Sequence, residues 1–436
     1  MNIKIECPWC KQHYSVDETF IGQNVECSVC KKQFAVRNPI VSSPVLKKVD
    51  CSSTGETIVR GKKKKAVIVS VAVVLLILCV VGAGVPLLIK HERAKVEGAK
   101  TEAKQAEKAN AEAKKKEDFA RQIGEDQGRG FYFMENGRVL MGAPKDVTGY
   151  DIPDGVTRID DSAFKDCESL RRVTIPSSVT SIGKEAFSNC SSLTSITLPS
   201  TMTSIGDNAF YKCSSLSGNI TIPEGIKIIG SQTFSKCSSI TSIIIPSSVT
   251  SIGNEAFEGC SALKSITIPS SVTYIERGAF ASCKSLTEIT LPPNITNIME
   301  KTFFFCESLT NIIIPLNVTS IGESAFFYCT SLTSATIPSG VISIEKQAFS
   351  CCVSLRCITI PSSVTRIGEH AFSYDSSLTG ITIPSSVTSI GWEAFCHCSS
   401  LTRVTILSRE ISIGRNAFLD TGCEKQIKRD YPQLFP

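Results

Sequence analysis

Four cysteines near the N-terminus have the spacing of metal ligands. Cys7 and Cys10 form one Cys-x-x-Cys pair, Cys27 and Cys30 form a second, and sixteen residues separate the two pairs. Four thiolates at this spacing can close on one tetrahedral zinc ion, which replaces the hydrophobic core that so short a segment cannot build. Two disulfides or a thioredoxin-like redox pair are the alternatives, although a redox site needs only one pair. The sequence therefore predicts one structural zinc ion per chain, bound by these four cysteines.

The stretch that carries these cysteines, residues 3–37, resembles the small zinc ribbons at the N-termini of many bacterial membrane proteins. Gly22 stands where that pattern has a turn, and Phe34 stands where it has a packing aromatic. Residues 1–37 hold five basic and four acidic side chains, which leaves a net charge of +1. Affinity for phosphate chains grows with the number of basic contacts, so we expect nucleic acid not to be a partner.

An uncharged run from Ala66 to Ile89 follows. As a helix its 24 residues would reach about 36 Å, against a hydrocarbon core of roughly 30 Å. A complete cysteine motif precedes the run, which argues against a cleaved signal peptide, and the lysines at 62–65 argue against a buried core helix. We predict a transmembrane signal anchor over 62–90, with membrane contact through 66–89. The lysines favour a cytoplasmic N-terminus, although basic residues also follow the run.

Most of the remaining chain is built from one repeated unit. Twelve phenylalanines recur at intervals of 23 residues, apart from one interval of 24 where Gly218 and Asn219 make an insertion. They are Phe164, Phe187, Phe210, Phe234, Phe257, Phe280, Phe303, Phe326, Phe349, Phe372, Phe395 and Phe418. The units follow the template LTSITIPSSVTSIGxxAFxxCSS. A fixed period of about 20 to 30 residues headed by Leu-x-x-Ile-x-Ile predicts a solenoid in which neighbouring units share one core.

One unit illustrates how a coil is expected to close. In the unit from Leu193 to Ser215, a short strand points its apolar residues inward. Ala209 and Phe210 are expected to close the coil as a helical turn, with the ring at the centre of the core. Cys213 is expected to fill the last inward position as a small apolar group. A single unit buries too little apolar surface to fold alone, so stability must come from stacking.

This repeat resembles the 23-residue, BspA-like subtype of leucine-rich repeat found in bacterial surface antigens. The stretch before it, FYFMENGRVLMGAPKDVTGYDIP, has the pattern of a hairpin that caps the first coil. The resemblance implies an α/β-type leucine-rich repeat solenoid of mostly short strands with about 12 coils, and adhesion or protein binding at a cell surface. Asp375 and Thr421 replace the repeat cysteine, and Leu407 replaces the repeat proline, which together indicate a terminal cap.

The predicted segments follow one another along the chain in a simple order. The stretch after the membrane is built from Ala, Lys and Glu, which favour a helix and place opposite charges at helical spacing. We expect a zinc ribbon over 1–37, a linker over 38–61, the signal anchor over 62–90, a charged helical stalk over 91–124, an N-terminal cap hairpin over 125–150, the repeat solenoid over 151–423 and a C-terminal tail over 424–436.

The outward positions of the repeat strands form a ladder rich in threonine. No base is paired with a nucleophile there, so we expect no enzymatic activity. Repeat proteins commonly bind along an extended face. Arg172, Glu288 and Arg403 are outward strand positions at which one unit differs chemically from another, and we predict that they contact the ligand. The serines of the repeated phrase IPSSVTSIG, such as Ser247 and Ser248, are expected to face solvent.

The chain contains 20 cysteines. Ten of them, from Cys167 to Cys398, occupy one position per coil, where neighbours would lie about 5 Å apart, within reach of disulfide formation. We prefer a column of reduced, buried thiols, because Asp375 interrupts the column and thiols pack well unbridged. For a looser group near the end, the repeat position is a better explanation than a second metal site. That group comprises Cys351, Cys352, Cys357, Cys396, His397, Cys398 and Cys423.

Location and function follow from these segments. Zinc thiolates and reduced repeat thiols both favour a reducing compartment, and a single-pass chain places only one of them there. We place the N-terminus in the cytoplasm and the repeats outside; the reverse orientation would make the repeats an intracellular scaffold. The sequence predicts a membrane-anchored protein that binds a protein or glycan and mediates adhesion at the cell surface or envelope. The alternative is a transmembrane receptor or scaffold that couples the repeats to a cytoplasmic partner through the zinc ribbon.

Overall fold

The computed structural model describes residues 104–408 and 410–432 and, at the level of the backbone, four short strands near the N-terminus. These strands are β1 (Asn2–Glu6), β2 (His13–Asp17), β3 (Asn24–Glu26) and β4 (Gln33–Ala35). The predicted zinc ligands, the linker over 38–61, the signal anchor over 62–90 and the start of the predicted stalk lie outside the described residues. No helix in the described ranges is long and apolar enough to cross a membrane.

The chain divides into two compact units, Met1–Val96 and Glu97–Pro436. In the first unit, β1 pairs antiparallel with β2, and β3 pairs antiparallel with β4. Along the sequence, one Cys-x-x-Cys pair falls between β1 and β2, and the other falls between β3 and β4. One strand pair per cysteine pair is the order expected of a ribbon that binds metal through two such motifs.

The second unit opens with helix α1 over 104–128. Its Ala, Lys and Glu residues favour a helix, and its last turns cover the first coil of the solenoid. Ile123 is buried, and Phe119 packs against the main core. The packing is so close that a Cβ at Gly155 would meet the Phe119 ring at 3.0 Å. Gly155 also has φ +113, a conformation that glycine adopts without strain.

A hairpin and a buried carboxylate complete this N-terminal cap. The strands of the hairpin are β5 (Tyr132–Met134) and β6 (Val139–Gly142). The Asp126 carboxylate is fully buried and accepts hydrogen bonds from the Tyr150 hydroxyl at 2.6 Å and from the Arg129 guanidinium. Burial and the hydrogen bond to Asp126 raise the pKa of Tyr150. Phe131 stacks on the Tyr150 ring with centroids 4.0 Å apart, so the cap extends the core of the solenoid.

The coils contribute short strands to a first parallel ladder, which we call the strand face. Its strands are β7 (Gly149–Asp151), β9 (Arg172–Thr174), β12 (Gly218–Thr221), β14 (Ile240–Ile244), β16 (Ser265–Thr267), β18 (Glu288–Thr290), β20 (Asn311–Ile313), β22 (Ser334–Thr336), β24 (Cys357–Thr359), β26 (Gly380–Ile383) and β28 (Arg403–Ile406). Ile243, Ile266 and Ile289 stand in register and are buried, while their chain neighbours alternate outward. The pairing runs unbroken from β12 to β18 and is interrupted between β18 and β20.

A second set of two-residue strands forms the other ladder. Its strands are β8 (Arg158–Ile159), β10 (Ser181–Ile182), β11 (Ser204–Ile205), β13 (Ile228–Ile229), β15 (Ser251–Ile252), β17 (Tyr274–Ile275), β19 (Asn297–Ile298), β21 (Ser320–Ile321), β23 (Ser343–Ile344), β25 (Arg366–Ile367), β27 (Ser389–Ile390) and β29 (Ser412–Ile413). The insertion predicted at Gly218 and Asn219 is absorbed on the strand face, where β12 shifts its register against β14 between these two residues.

The segment around each phenylalanine consists of turns, and the predicted helical turn was wrong. The Phe187 amide donates to the Ala209 carbonyl of the next coil at 2.7 Å, and the Asn189 amide donates to the Tyr211 carbonyl at 2.8 Å. Glu185 and Asn189 have φ values of +55 and +60, which reverse the chain on either side of the ring. Amides directed at the next coil cannot form the intrahelical bonds of an α-helix. The fold is therefore a β-solenoid of about 12 coils, and the predicted α/β-type coil is corrected accordingly.

All twelve phenylalanines form one continuous stack at the centre of the solenoid. Consecutive ring centroids lie 5.0–5.9 Å apart, with interplanar angles of 1–14°. Every ring is buried. Offset stacking at this distance adds attraction to the burial of apolar area. The shared core predicted from the 23-residue period is confirmed.

The repeat cysteines line the same core as free thiols. Nine of them, from Cys190 to Cys398, donate an S–H hydrogen bond to the carbonyl of the phenylalanine in the preceding coil, with S···O distances of 3.0–3.3 Å. Burial raises the pKa of Cys260 to about 12, so the thiol form is strongly favoured. The bond to the preceding coil gives the cysteine a structural role that an alanine could not supply.

Asp375 occupies the cysteine position in one coil. Its carboxyl group is fully buried, and one oxygen accepts a hydrogen bond from the Cys352 amide at 2.8 Å. The other oxygen has no hydrogen-bond partner among the described residues. Burial raises the pKa of Asp375 well above its ordinary value and so favours the protonated, neutral form of the group in the folded protein.

Helix α2 (Glu424–Asp430) follows the last coil. Ile427 of this helix and Cys423 just before it are buried, and the Tyr431 ring packs against the core. The Tyr431 hydroxyl oxygen lies 3.5 Å from the Ile406 amide of β28, the last strand of the strand face. The apolar end of the solenoid is thereby covered, which an open stack of coils requires for solubility.

Candidate ligand-binding face

The three residues predicted to contact a ligand lie in one column of the strand face. Arg172, Glu288 and Arg403 are the first residues of β9, β18 and β28, and all three are exposed. Five coils separate each residue from the next in this series. At a strand spacing of about 4.8 Å, consecutive members are about 24 Å apart. The structure therefore does not bring them into one site, and only an extended partner could contact more than one of them.

Arg172 is engaged within the protein. Its guanidinium donates to the Asp151 carboxylate at 2.6 Å and to the Thr174 hydroxyl at 3.0 Å. The hydrogen bond from Arg172 lowers the pKa of Asp151. Exposed ion pairs of this kind contribute little to stability. The Asp151 carboxylate nevertheless balances the charge of Arg172, which weakens the attraction of Arg172 for an acidic ligand.

Glu288 borders a groove of about 560 Å³ on the strand face. The groove lies between the coil of β18 and the coil of β20, where the ladder is interrupted. Ile313 and Leu316 project into it and are 79% and 82% exposed. The remaining residues that line it are Ile289, Thr290, Leu291, Pro293, Asn311, Pro315 and Asn317. An acidic side chain thus stands beside an apolar depression that is open to solvent.

The sequence contains a signal for this groove that its charged positions alone do not reveal. Ile313 stands where most other coils have threonine, as at Thr290 and Thr336. Leu316 stands where the template has the first serine of IPSS, as at Ser247. Two apolar departures from a polar template in one coil mark the same point on the surface. Apolar departures from the template thus mark candidate sites in the same way as charged ones.

The hydroxyl groups of the repeated phrase bind the solenoid itself. Ser248 donates to the Ile226 carbonyl of the preceding coil at 2.7 Å, and Thr250 donates to the Lys227 carbonyl at 3.3 Å. Of the two serines expected to face solvent, Ser247 is exposed, but the expectation was wrong for Ser248. Hydroxyls that satisfy carbonyls between coils are part of the architecture of the solenoid.

A larger cleft, about 1170 Å³ in volume, lies between α1 and the first coils. Its charged side chains include both signs, and two of them, Arg129 and Asp151, are already paired with Asp126 and Arg172. The cleft thus follows the seam between the cap and the solenoid. The groove at Ile313 is the stronger candidate, because its exposed apolar side chains have no structural role in the core.

A family model described as the BspA type leucine-rich repeat region matches residues 143–261, 217–315 and 296–425, with six copies. The chain belongs to the BspA-type leucine-rich repeat family. The predicted resemblance of the repeats is thereby confirmed. The zinc ribbon and the membrane anchor lie outside the matched residues and stay predictions.

Several leucine-rich repeat proteins of known crystal structure are similar to this BspA-type chain. One from Bacteroides ovatus is 31% identical, with 68% of this chain and 86% of that chain covered and a TM-score of 0.55. A leucine-rich cell surface protein from Faecalibacterium prausnitzii is 29% identical, with 64% and 93% covered and a TM-score of 0.43. One from Eubacterium ventriosum is 24% identical, with 67% and 92% covered and a TM-score of 0.40. No match was found among the curated proteins.

Proposed function

We propose that this BspA-type protein binds a segment of another protein at the cell surface or envelope, and that it serves in adhesion rather than catalysis. The observation that carries the proposal is the exposure of Ile313 and Leu316, at 79% and 82%, beside one groove of the strand face. Large apolar side chains in such a depression gain free energy when a partner covers them, at about 25 cal/mol per Å² of apolar surface removed from water.

The groove favours a particular kind of partner. Glu288 borders it and forms no ion pair with any residue that the structure describes, so its carboxylate can receive a basic group. No aromatic ring is among the residues that line the groove, and rings are the usual platform for a sugar face. We therefore favour a protein segment that places an apolar side chain next to a lysine or arginine over a glycan.

We further propose that the chain is a single-pass membrane protein, anchored through 66–89, with the N-terminus in the cytoplasm and the repeats outside. The uncharged run and the adjoining lysines support this arrangement. In the head, Cys7, Cys10, Cys27 and Cys30 would hold one structural zinc ion. Two observations support the zinc ion. The four cysteines have the spacing of zinc ligands, and each Cys-x-x-Cys pair lies in the sequence between the two strands of an antiparallel pair.

The partner chemistry can be tested with a displayed library of random peptides selected on the full chain in detergent. The discriminating variant carries Ile313→Thr and Leu316→Ser, which restores the repeat template and should therefore fold. We expect enriched peptides to combine an apolar residue with Lys or Arg, and to bind the variant at least about 10-fold more weakly, because covering each of the two apolar side chains contributes up to about 1.5–3 kcal/mol. Ile244→Thr, at another exposed isoleucine of the strand face, is the matched control and should leave binding unchanged.

Two outcomes would contradict the groove as the binding site. Peptides that bind the template-restored variant as tightly as the wild type would place the site elsewhere. A library that yields no binders, together with retention of the protein on an array of glycans, would show that the glycan alternative is correct.

A further inference from the structure

Three side chains of metal-ligating type meet near the C-terminal end of the solenoid. His370, Glu393 and Cys396 place one ligand atom each within 4.8 Å of the others. One oxygen of Glu393 lies 3.5 Å from the His370 Nδ1 atom and 3.7 Å from the Cys396 sulfur. Within the ranges that the structure describes, this is the one group of three such residues. It does not include His397, which the sequence had associated with Cys396.

Two of the three distances between ligand atoms match those of a tetrahedral site. Zinc binds nitrogen and oxygen at about 2.0–2.2 Å and sulfur at about 2.3 Å, which places ligand atoms about 3.4 Å apart for nitrogen and oxygen and about 3.6 Å apart for oxygen and sulfur. The observed separations of 3.5 Å and 3.7 Å are within a few tenths of an ångström of these values. The pairs His370–Glu393 and Glu393–Cys396 therefore need little movement to accept a metal ion between them.

Neighbouring side chains hold Glu393 and His370 in place, as is usual for metal ligands. The Asn416 side-chain amide donates to the second Glu393 oxygen at 3.4 Å, which turns the first oxygen toward His370 and Cys396. The His370 ring meets the Trp392 ring edge-on at a centroid distance of 4.7 Å. Hydrogen-bonded carboxylates and apolar cover of this kind fix the orientation of ligands before the metal arrives.

The repeat does not account for this meeting. The position two residues before the phenylalanine holds Ser, Glu, Asn, Gln, Gly or Lys in the other coils, and histidine only at 370. The position after the phenylalanine holds cysteine only at 396. Two singular residues from adjacent coils thus converge on one carboxylate.

We propose that His370, Glu393 and Cys396 bind one zinc ion. A thiolate and a carboxylate neutralise its two positive charges, and the neutral imidazole completes the set of protein ligands. The His370 and Glu393 side chains are 18% and 22% exposed, so solvent can reach the site. A water molecule would complete the tetrahedral coordination in the free protein, and a carboxylate or imidazole of a partner could replace that water.

The test measures zinc in the full chain after removal of metal and re-equilibration with zinc sulfate. We expect His370→Gln and Cys396→Ser each to lose about one equivalent of zinc relative to the wild type. His397→Gln is the matched control, because His397 also faces a carboxylate, Asp420 at 3.1 Å, but has no thiol beside the pair. It should retain all of the zinc. Thermal melting of the metal-free proteins checks that each variant is folded, and Glu393→Gln replaces either one that is not.

Cobalt separates this site from the head. In a chain whose four head cysteines are changed to serine, Co²⁺ should give a thiolate charge-transfer band that disappears in Cys396→Ser. The proposal is overturned if His370→Gln and Cys396→Ser hold as much zinc as the wild type, or if His397→Gln loses as much as they do. The zinc ion proposed for the head is tested separately: changing the four head cysteines to serine should remove one equivalent of zinc from the chain.

Discussion

At the residue scale, single departures from the repeat template decide the local chemistry of an otherwise uniform protein. Asp375 is the clearest example inside the core. Every other coil from Cys190 to Cys398 places a thiol there, and the thiol donates to a carbonyl of the preceding coil. A neutral carboxyl group can be accommodated in the same space, whereas a charged one would be buried without a counterion.

We predict that Asp375 makes the stability of the solenoid depend on pH. In the unfolded chain the carboxyl group ionises near pH 4, while burial keeps its pKa in the folded protein well above that value. The folded state then binds the extra proton between these two values, so the free energy of unfolding is largest below about pH 4 and falls by up to about 1.4 kcal/mol per pH unit above it.

Asp375→Cys should remove this dependence, because it restores the template residue. Urea denaturation at pH 5, 6 and 7 should show a stability gain over the wild type that grows with pH. Asp146→Asn, at an exposed aspartate of the cap region, is the control and should run parallel to the wild type. Parallel curves for Asp375→Cys and the wild type would mean that Asp375 is ionised in the folded protein.

At the element scale, each coil borrows its stability from its neighbours. The Phe257 ring lies between the rings of Phe234 and Phe280, at centroid distances of 5.9 Å and 5.5 Å. The amides of Glu255, Phe257 and Gly259 bond to carbonyls of the next coil instead of closing a helix within their own. No coil therefore contains a complete set of its own hydrogen bonds or contacts.

We predict that Phe257→Ala lowers the free energy of unfolding by about 3–5 kcal/mol, because it leaves a cavity in the middle of the stack. Chemical denaturation followed by circular dichroism measures the loss, and hydrogen exchange should show faster opening in the two adjoining coils. Ile244→Ala, which shortens an exposed side chain of the strand face, should cost less than about 1 kcal/mol. Equal losses for the two variants would mean that the ring stack does not carry the core.

At the scale of the whole molecule, one core runs through about 12 coils and is closed at both ends by helices. The N-terminal end is covered by α1 and its hairpin, and the C-terminal end is covered by α2. The column of thiols follows the core along its length and stays out of contact with solvent. Cys357, on the strand face, is exposed.

We predict a sharp order of cysteine reactivity in the folded full chain. Iodoacetamide at pH 8 should modify Cys357 at least about 100-fold faster than Cys260 or Cys306, because burial both blocks access and, at Cys260, raises the pKa to about 12. Peptide mapping after a time course reads each cysteine separately. In urea the order should vanish. Rapid modification of Cys260 in the folded protein, or a disulfide between neighbouring column cysteines, would disprove the buried thiol column.

The sequence by itself determined the solenoid and its interior. The 23-residue period identified the phenylalanine stack, the cysteine position and the inward isoleucines, because a repeat that is stacked in register must place equivalent side chains one above the other. The same period predicted the number of coils and the family. The period also showed that Glu288 differs from the residues at the same position of other coils, but it did not show that Ile313 and Leu316 lie beside Glu288.

Only the tertiary structure decided which groups face each other across neighbouring coils. The segment around each phenylalanine consists of turns instead of the predicted helical turn. Ser248 forms a hydrogen bond to the preceding coil, and Ile313 and Leu316 lie beside Glu288. His370 also lies close to Glu393 and Cys396, which both belong to the next coil. The physical reason is common to all of these. They depend on the register and spacing between coils, and the pattern within a single unit contains no information about distances to the next one.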